Sequence, residues 1–286
     1  MNAAIIGGAG KMGRWIARAI RDLGIDVLLI DVDIENLKTA GETLGLPITT
    51  DISRAGDGDA VIIAVPIDRF ESVVRSLSAH VRPGQIIMDV TSVKTEPLSI
   101  MRRLLPECRM LGTHPVFGPG ASNFNGHNVI LTPSTPAECE LAEEVKTRLE
   151  KEGARVAVMS PEKHDQLMAA VLGLAHFIAI VAGDTLLSLD GIKQMEAVSG
   201  VTFKALLTLI ESVLNEDPAL YASIQMHLPP LADMQAELIG KAKLWNHFVK
   251  TGDRDGFIER MTELKTRLER LELDSAQAYG RLYKLI

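Results

Sequence analysis

Cysteine is nearly absent from this chain: Cys108 and Cys139 are the two among 286 residues. Two thiols are too few for the disulfide framework of a small secreted fold, so the composition points to a reducing compartment, the cytoplasm. A basic excess is missing as well. With 30 Lys and Arg against 37 Asp and Glu, the formal net charge is −7, which argues against a nucleic-acid binder, whose surface normally carries surplus positive charge. A locally basic pocket for a small anionic substrate stays compatible with that balance. No internal repeat and no low-complexity tract interrupts the sequence. The opening Met1-Asn2-Ala3-Ala4-Ile5-Ile6-Gly7 lacks the basic segment and apolar core of a secretory leader, so the chain is expected to start as structure. The longest apolar run, Leu167 to Ala182, has His176 as its single strongly polar side chain. It falls short of the roughly 20 residues that a membrane span needs and reads as a helix buried on all sides, with no membrane partner expected.

What is present is an ordinary globular mixture, 47% hydrophobic and 23% charged, able to bury a core. The length suggests two domains of about 150 residues each. Over residues 1–160, short β-branched runs alternate with amphipathic stretches. Ala3 to Ile6, Asp26 to Ile30, Ala60 to Val65, Gln85 to Val90, Arg109 to Thr113 and Asn128 to Thr132 fit buried strands. Met12 to Leu23, Ile34 to Leu44, Phe70 to His80 and Lys94 to Leu104 fit the helices between them, and a helix near Pro136 to Glu152 precedes a strand near Ala154 to Val158. This rhythm predicts an α/β fold, an N-terminal doubly wound parallel sheet of Rossmann type. From Pro161 the strand signals stop, so residues 161–286 are expected to form an all-helical domain through which the chain homodimerises. Its charged stretch from Gly256 to Leu273, with leucines at helical spacing, reads as a solvated amphipathic helix.

Gly8-Ala9-Gly10-Lys11-Met12-Gly13 follows the first strand and opens the first helix, and Asp31 stands eighteen residues beyond Gly13 at the end of the second strand. A lone G-x-G-x-x-G is weak, but this context gives each residue a task. Gly8 is expected to make the tight turn, Gly10 to let backbone approach a pyrophosphate, and Gly13 to let helix and strand pack closely. The helix N-terminus, at Lys11 and Met12, offers a partial positive charge to the phosphates. Asp31 can accept from both ribose hydroxyls and would repel a 2′-phosphate, which favours NAD over NADP, while Asp33 is better placed to cap the next helix. Lys38 on that helix weighs toward NADP. Val65 and Pro66, ending the fourth strand, are expected to line the nicotinamide side.

His114 lies in Leu111-Gly112-Thr113-His114-Pro115-Val116-Phe117-Gly118-Pro119, directly after an apolar strand-like run. An imidazole held at a strand's carboxyl end by prolines and glycines is placed like a reactive group. Asp89-Val90-Thr91-Ser92-Val93-Lys94 ends the neighbouring strand. Ser92 is expected either to hydrogen-bond His114 and fix its tautomer or to cap the helix beginning near Lys94. Lys94 either supplies a positive field or sits on an exposed first turn.

Together with Glu162-Lys163-His164-Asp165 and Asp217-Pro218-Ala219-Leu220-Tyr221-Ala222, these segments resemble the prephenate dehydrogenase family of tyrosine biosynthesis over most of the chain. The resemblance implies that His114 contacts the substrate's C4 hydroxyl, that Ser92 orients it, and that the enzyme is a dimer joined by its helical domains. It also implies that the helical half binds substrate, with His176 near it; His164 either binds substrate too or merely begins its helix, and Lys94 is a further substrate-binding candidate. The implied reaction is NAD-dependent oxidative decarboxylation with His114 as base and no metal; a neutral histidine is required, so activity would rise with pH through about 6.5. One departure stands out. The family commonly carries an arginine five residues before the Asp-Pro of its helical half, and here that position is Ser212, which cannot replace a bidentate guanidinium. Either another cation serves, Lys204 being the nearest candidate, or the substrate is a different small hydroxy acid. A dinucleotide-sensing regulator without catalysis is the third reading.

Overall fold

The strand-like runs assemble into one eight-stranded sheet in the order β3-β2-β1-β4-β5-β6-β7-β8, seen in a computed structural model that describes residues 1–271 and 277–285. The strands are β1 (Asn2–Ile6), β2 (Asp26–Ile30), β3 (Ile48–Thr49), β4 (Ala60–Ile63), β5 (Ile86–Asp89), β6 (Arg109–Pro115), β7 (Asn128–Thr132) and β8 (Arg155–Val158). All neighbouring pairs are parallel except β6 and β7. The antiparallel step departs from the expected wholly parallel sheet. Its cause is the connection over residues 116–127, which contains no crossover helix and so returns the chain in a hairpin-like sense. That loop is pinned to the first helix: the indole Nε1 of Trp15 donates to the Ala121 carbonyl at 2.5 Å, and Phe117 and Phe124 meet the Trp15 ring edge-on at 4.8 and 4.9 Å.

Period-two alternation gives the sheet two apolar faces. Ile5, Leu29, Leu111 and Leu131 pack with Trp15, Leu37 and Leu141 on one side. Ala4, Ile6, Ile63 and Ile87 pack with Phe70, Val74, Leu98 and Met101 on the other. The two-residue β3 escaped the sequence pattern because so short a run carries no periodicity; it is held by pairing with β2.

The chain divides into two compact units, Met1–Met168 and Ala169–Ile286. The helix Pro161–Met168 therefore belongs with the sheet. In the second unit, Ala175–Leu187 packs against Val201–Leu214, where Gly183 lets Ile210 and Leu214 approach; a Cβ there would stand 3.0 Å from Ile210 Cγ2. A π-helical segment at Ala169–Leu174 interrupts the regular helix, and Gln225 donates to the Gly173 carbonyl at 2.9 Å. The helical path Pro161–Leu187 is long and apolar enough to cross a membrane. It exceeds the sixteen-residue run read from sequence, because Pro161 to Gln166 extend it at one end and Gly183 to Leu187 at the other. Nor is it buried on all sides within the chain: Val171, Ile178, Val181 and Leu187 are exposed. The helix Arg254–Glu269 buries no residue, as expected of a solvated helix, and positions 272–273 of that stretch lie outside the described residues.

Candidate active site

The glycine-rich turn is built by backbone contacts that leave no room for side chains. Gly7 takes φ +86° and donates to the Ile30 carbonyl at 2.9 Å, and Gly8 donates to the same carbonyl at 3.1 Å. The left-handed residue of the turn is thus Gly7 and not Gly8, to which the motif assigns the tight turn; the adjacent Gly7-Gly8 pair was the available signal. A Cβ on Gly8 would lie 2.9 Å from Leu29 Cβ, and one on Gly13 would lie 2.1 Å from the Gly7 carbonyl oxygen. Gly10 differs. It is exposed, and the nearest atom to a Cβ there is the Gly7 oxygen at 3.3 Å. Gly10 also begins the helix Lys11–Asp22 with no side-chain cap, the arrangement in which a helix N-terminus receives a phosphate.

Asp31 ties the second strand to this turn. Its carboxylate accepts from the Ala9 N–H at 2.9 Å and the Asp33 N–H at 3.1 Å. Asp33 caps the helix Ile34–Leu44 through the Asn36 N–H, as its position suggested. Lys38 pairs with Glu35 on its own helix at 3.1 Å. Val65 is half-buried beside Gly7, with Cγ1 3.1 Å from a Cβ built there, and Pro66 opens the helix Ile67–Leu77. These residues form a cradle that fits a dinucleotide.

Across the sheet, β5 ends at Asp89 opposite Gly112, and β6 continues three residues farther because β7 pairs with it, His114 opposite Ile130. His114 consequently sits inside the strand's extension, buried, beyond the parallel ladder. Lys94 is fully buried: its Nζ donates to Asp89 Oδ1 and, at 2.7 Å, to the Thr113 carbonyl. An exposed first turn does not describe it, whereas its charge does act on His114. The ammonium clamps the ends of β5 and β6, and Gly112 makes room for its stem, since a Cβ there would be 3.2 Å from Lys94 Cδ. Burial lowers the Lys94 pKa although Asp89 opposes the shift.

His114 Nδ1 lies 2.8 Å from His164 Nε2, and His164 Nδ1 lies 2.8 Å from Asp165 Oδ1. Asp165 also accepts the Lys94 N–H at 2.8 Å on Oδ1 and the Thr95 N–H at 2.9 Å on Oδ2. These contacts correct three expectations. His164 is turned toward His114 and Asp165 and is fully buried, not a residue at a mere helix start. No hydrogen bond joins Ser92 to His114 among the described residues, His164 being the partner of Nδ1. Nor does Ser92 cap the helix Thr95–Leu104, because Asp165 reaches across 70 residues of sequence to cover its first N–H groups. Such a cap is invisible to local capping rules. Asp89, Gly112, Thr113 and Asp165 lie within the motifs, and sequence reasoning missed their roles; a glycine inside a strand run was the one local signal.

Burial, then His164 and Lys94, push the His114 pKa well below 6.5. Burial lowers His164 too, against its hydrogen bond to Asp165. Asp165 itself is held below the usual carboxylate range despite burial, by hydrogen bonds from His164, Thr95 and Lys94. The imidazole at the end of β6 is therefore uncharged near neutrality, able to take a proton.

In the second unit, His176 meets the Tyr221 ring edge-on at 4.7 Å, and its Nδ1 is buried with no hydrogen-bond partner among the described residues. Lys204 is exposed on Val201–Leu214, and Ser212 turns its hydroxyl back to the Leu209 carbonyl at 2.8 Å.

Residues 16–158 match the family model for the prephenate dehydrogenase nucleotide-binding domain, and residues 160–263 that for the prephenate dehydrogenase dimerization domain. A probable arogenate/prephenate dehydrogenase of Methanocaldococcus jannaschii is 37% identical over 92% of this chain; the chain spans about 60% of that protein's length. A 4-amino-4-deoxyprephenate dehydrogenase of Streptomyces pristinaespiralis is 28% identical, covering 91% of this chain and 89% of that protein. The fold is that of the prephenate dehydrogenase of Aquifex aeolicus solved with hydroxyphenyl propionate and NAD+, at TM-score 0.77 and 23% identity over 96% of this chain and 98% of that one. The chain belongs to the prephenate dehydrogenase family of oxidoreductases.

Proposed function

We propose that this protein is an NAD-dependent dehydrogenase that oxidises C4 of prephenate or arogenate on the way to tyrosine, with His114 as the base. The observation that carries the reading is the buried, uncharged imidazole of His114 at the end of a strand in the sheet that also holds the glycine cradle. When bound, the nicotinamide supplies the acceptor for the hydride leaving C4. His114 takes the hydroxyl proton as the C–O bond becomes a carbonyl. The ring then loses its carboxylate as carbon dioxide, and the electron pair left behind makes the ring aromatic. The protein's task is position and one proton.

Gly8, Gly10, Lys11, Met12 and Gly13 cradle the pyrophosphate in this reading, Asp31 accepts from the ribose with the acceptor capacity left on its oxygens, and Val65 and Pro66 border the nicotinamide. NAD is favoured over NADP because Asp31 stands at the ribose position and Lys38 is engaged by Glu35. The sheet unit, which takes in the helix Pro161–Met168, holds the cofactor and the base, and the helical unit beyond it serves substrate and dimer. His176, with an unpartnered ring nitrogen, and Lys204 receive the substrate's carboxylates. A second copy of the chain covers the exposed apolar side chains of Ala175–Leu187. The serine at position 212 favours a second reading, in which the substrate is another small hydroxy acid. The test is to follow NAD reduction by the full chain with prephenate and arogenate in parallel and to identify an aromatic product. Turnover of a different hydroxy acid alone selects the second reading, and NAD binding without turnover of any of them selects a regulator.

A further inference from the structure

We propose that His164 and Asp165 are positioning residues that hold His114 in the one tautomer able to act as base; the inference rests on the reading of His114 as the proton acceptor. Asp165 is anchored first. Its two oxygens already accept the Lys94 and Thr95 backbone N–H groups, and a carboxylate has no hydrogen to give. The proton in the 2.8 Å contact between Asp165 Oδ1 and His164 Nδ1 therefore belongs to His164.

A neutral imidazole carries one N–H, so His164 Nε2 is left with a lone pair. His164 is kept neutral by burial, and the ionisable groups acting on it are Asp165, Lys94 and Asp89. Across the 2.8 Å contact, His114 must then donate from Nδ1, which leaves its Nε2 as the basic nitrogen. The alternative His114 tautomer would set two lone pairs against each other in a buried space, the costly arrangement for unpaired polar groups. When Nε2 gains the substrate proton, the Nδ1 proton stays bonded toward His164, whose own N–H is bonded to the Asp165 carboxylate. The new positive charge is thus faced by an oriented dipole backed by an anion, and no further proton has to move.

The experiment uses the full chain with 15N-labelled histidine. Long-range proton–nitrogen spectra read which ring nitrogen of His114 carries hydrogen, without any substrate. The expected result is hydrogen on Nδ1 in the native protein and a shift toward Nε2 in His164→Leu. In parallel, His164→Leu is expected to lower kcat about 100-fold, the lower range for losing acid–base assistance, with NAD affinity kept within about twofold, that is about 0.4 kcal/mol. His164→Gln, whose amide oxygen can accept from Nδ1, is expected to recover most of the loss. A native spectrum with hydrogen on Nε2 would overturn the relay. So would a His164→Leu variant with unchanged tautomer and turnover, or a His164→Gln variant as poor as His164→Leu. Should His164→Leu fail to fold, the native spectrum and His164→Gln decide. Failure of the functional reading is seen separately, as a native chain that reduces no NAD while the spectra still report the tautomer.

Discussion

Gly10 and Gly13 sit three residues apart in one motif, yet the structure assigns their substitution to alanine opposite consequences. A Cβ at Gly13 would stand 2.1 Å from the Gly7 carbonyl oxygen and 2.9 Å from its carbon, both backbone atoms that cannot rotate aside. Overpacking typically costs about 1–3 kcal/mol, with the upper part of that range expected here. Replacing a helical glycine by alanine returns about 1 kcal/mol. The net loss of about 2 kcal/mol corresponds to a Tm about 4–8 °C lower, at 2–4 °C per kcal/mol for a unit of this size. At Gly10 the backbone is extended, φ −71° and ψ 161°, which any residue adopts, and the nearest atom to a Cβ is 3.3 Å away. Gly10→Ala should therefore shift Tm by no more than about 2 °C, since exchanging glycine for alanine at a helix cap costs little. In the proposed reading its methyl group would instead stand where the protein backbone must approach the pyrophosphate, and NAD should bind at least about tenfold more weakly, a loss of about 1.4 kcal/mol. Thermal unfolding followed by near-UV circular dichroism, with calorimetric NAD titration of the same samples, separates the two effects. Equal Tm losses in both variants, or native affinity in Gly10→Ala, would refute the assignment of Gly10 to the ligand side of the turn.

Lys94→Met should destabilise the protein by about 3–5 kcal/mol in urea unfolding, because it strands the buried Asp89 carboxylate without its cation; the double variant Asp89→Asn with Lys94→Met should lose less. The His114 pKa, depressed by burial and by His164 and Lys94, places the acid limb of kcat/KM below 6.5 instead of near it. A pH–rate profile with its acid limb at or above 6.5 would contradict that. The same depression links to stability. Below 6.5 the unfolded chain binds a proton that folded His114 refuses, so this contribution is complete above pH 6.5 and is lost as pH falls toward the folded pKa; denaturant midpoints measured in that window should fall with pH.

Apart from the two-residue β3, the Rossmann half was legible because its strands and longer helices announce themselves locally: Ala3 to Ile6 by its apolar run, Gly8 to Gly13 by spacing, Asp33 by its position before a helix. The strand at Asn128–Thr132 was legible but its antiparallel direction was not, since direction is set by how the chain returns, and the loop at residues 116–127 gives no periodic signal. Within the site, His114 and His164 both stood out, but their pairing did not. Ser92 lies where local rules would seek an orienting group, whereas Asp165 and His164 arrive from a helix some 50 to 70 residues later. Lys94 misled for a related reason. A lysine at a helix start reads as exposed, and only the neighbouring Asp89 and the missing side chain of Gly112 let it go inside.

The most direct measurement is NAD reduction by the native chain and by His114→Asn, side by side, on prephenate and arogenate. The account predicts turnover of at least one of them by the native protein and a loss of at least about 100-fold in the variant, with NAD affinity retained. Turnover by His114→Asn equal to the native rate would contradict the assignment of His114 as the base, and no turnover of either compound by the native chain would contradict the proposed reaction.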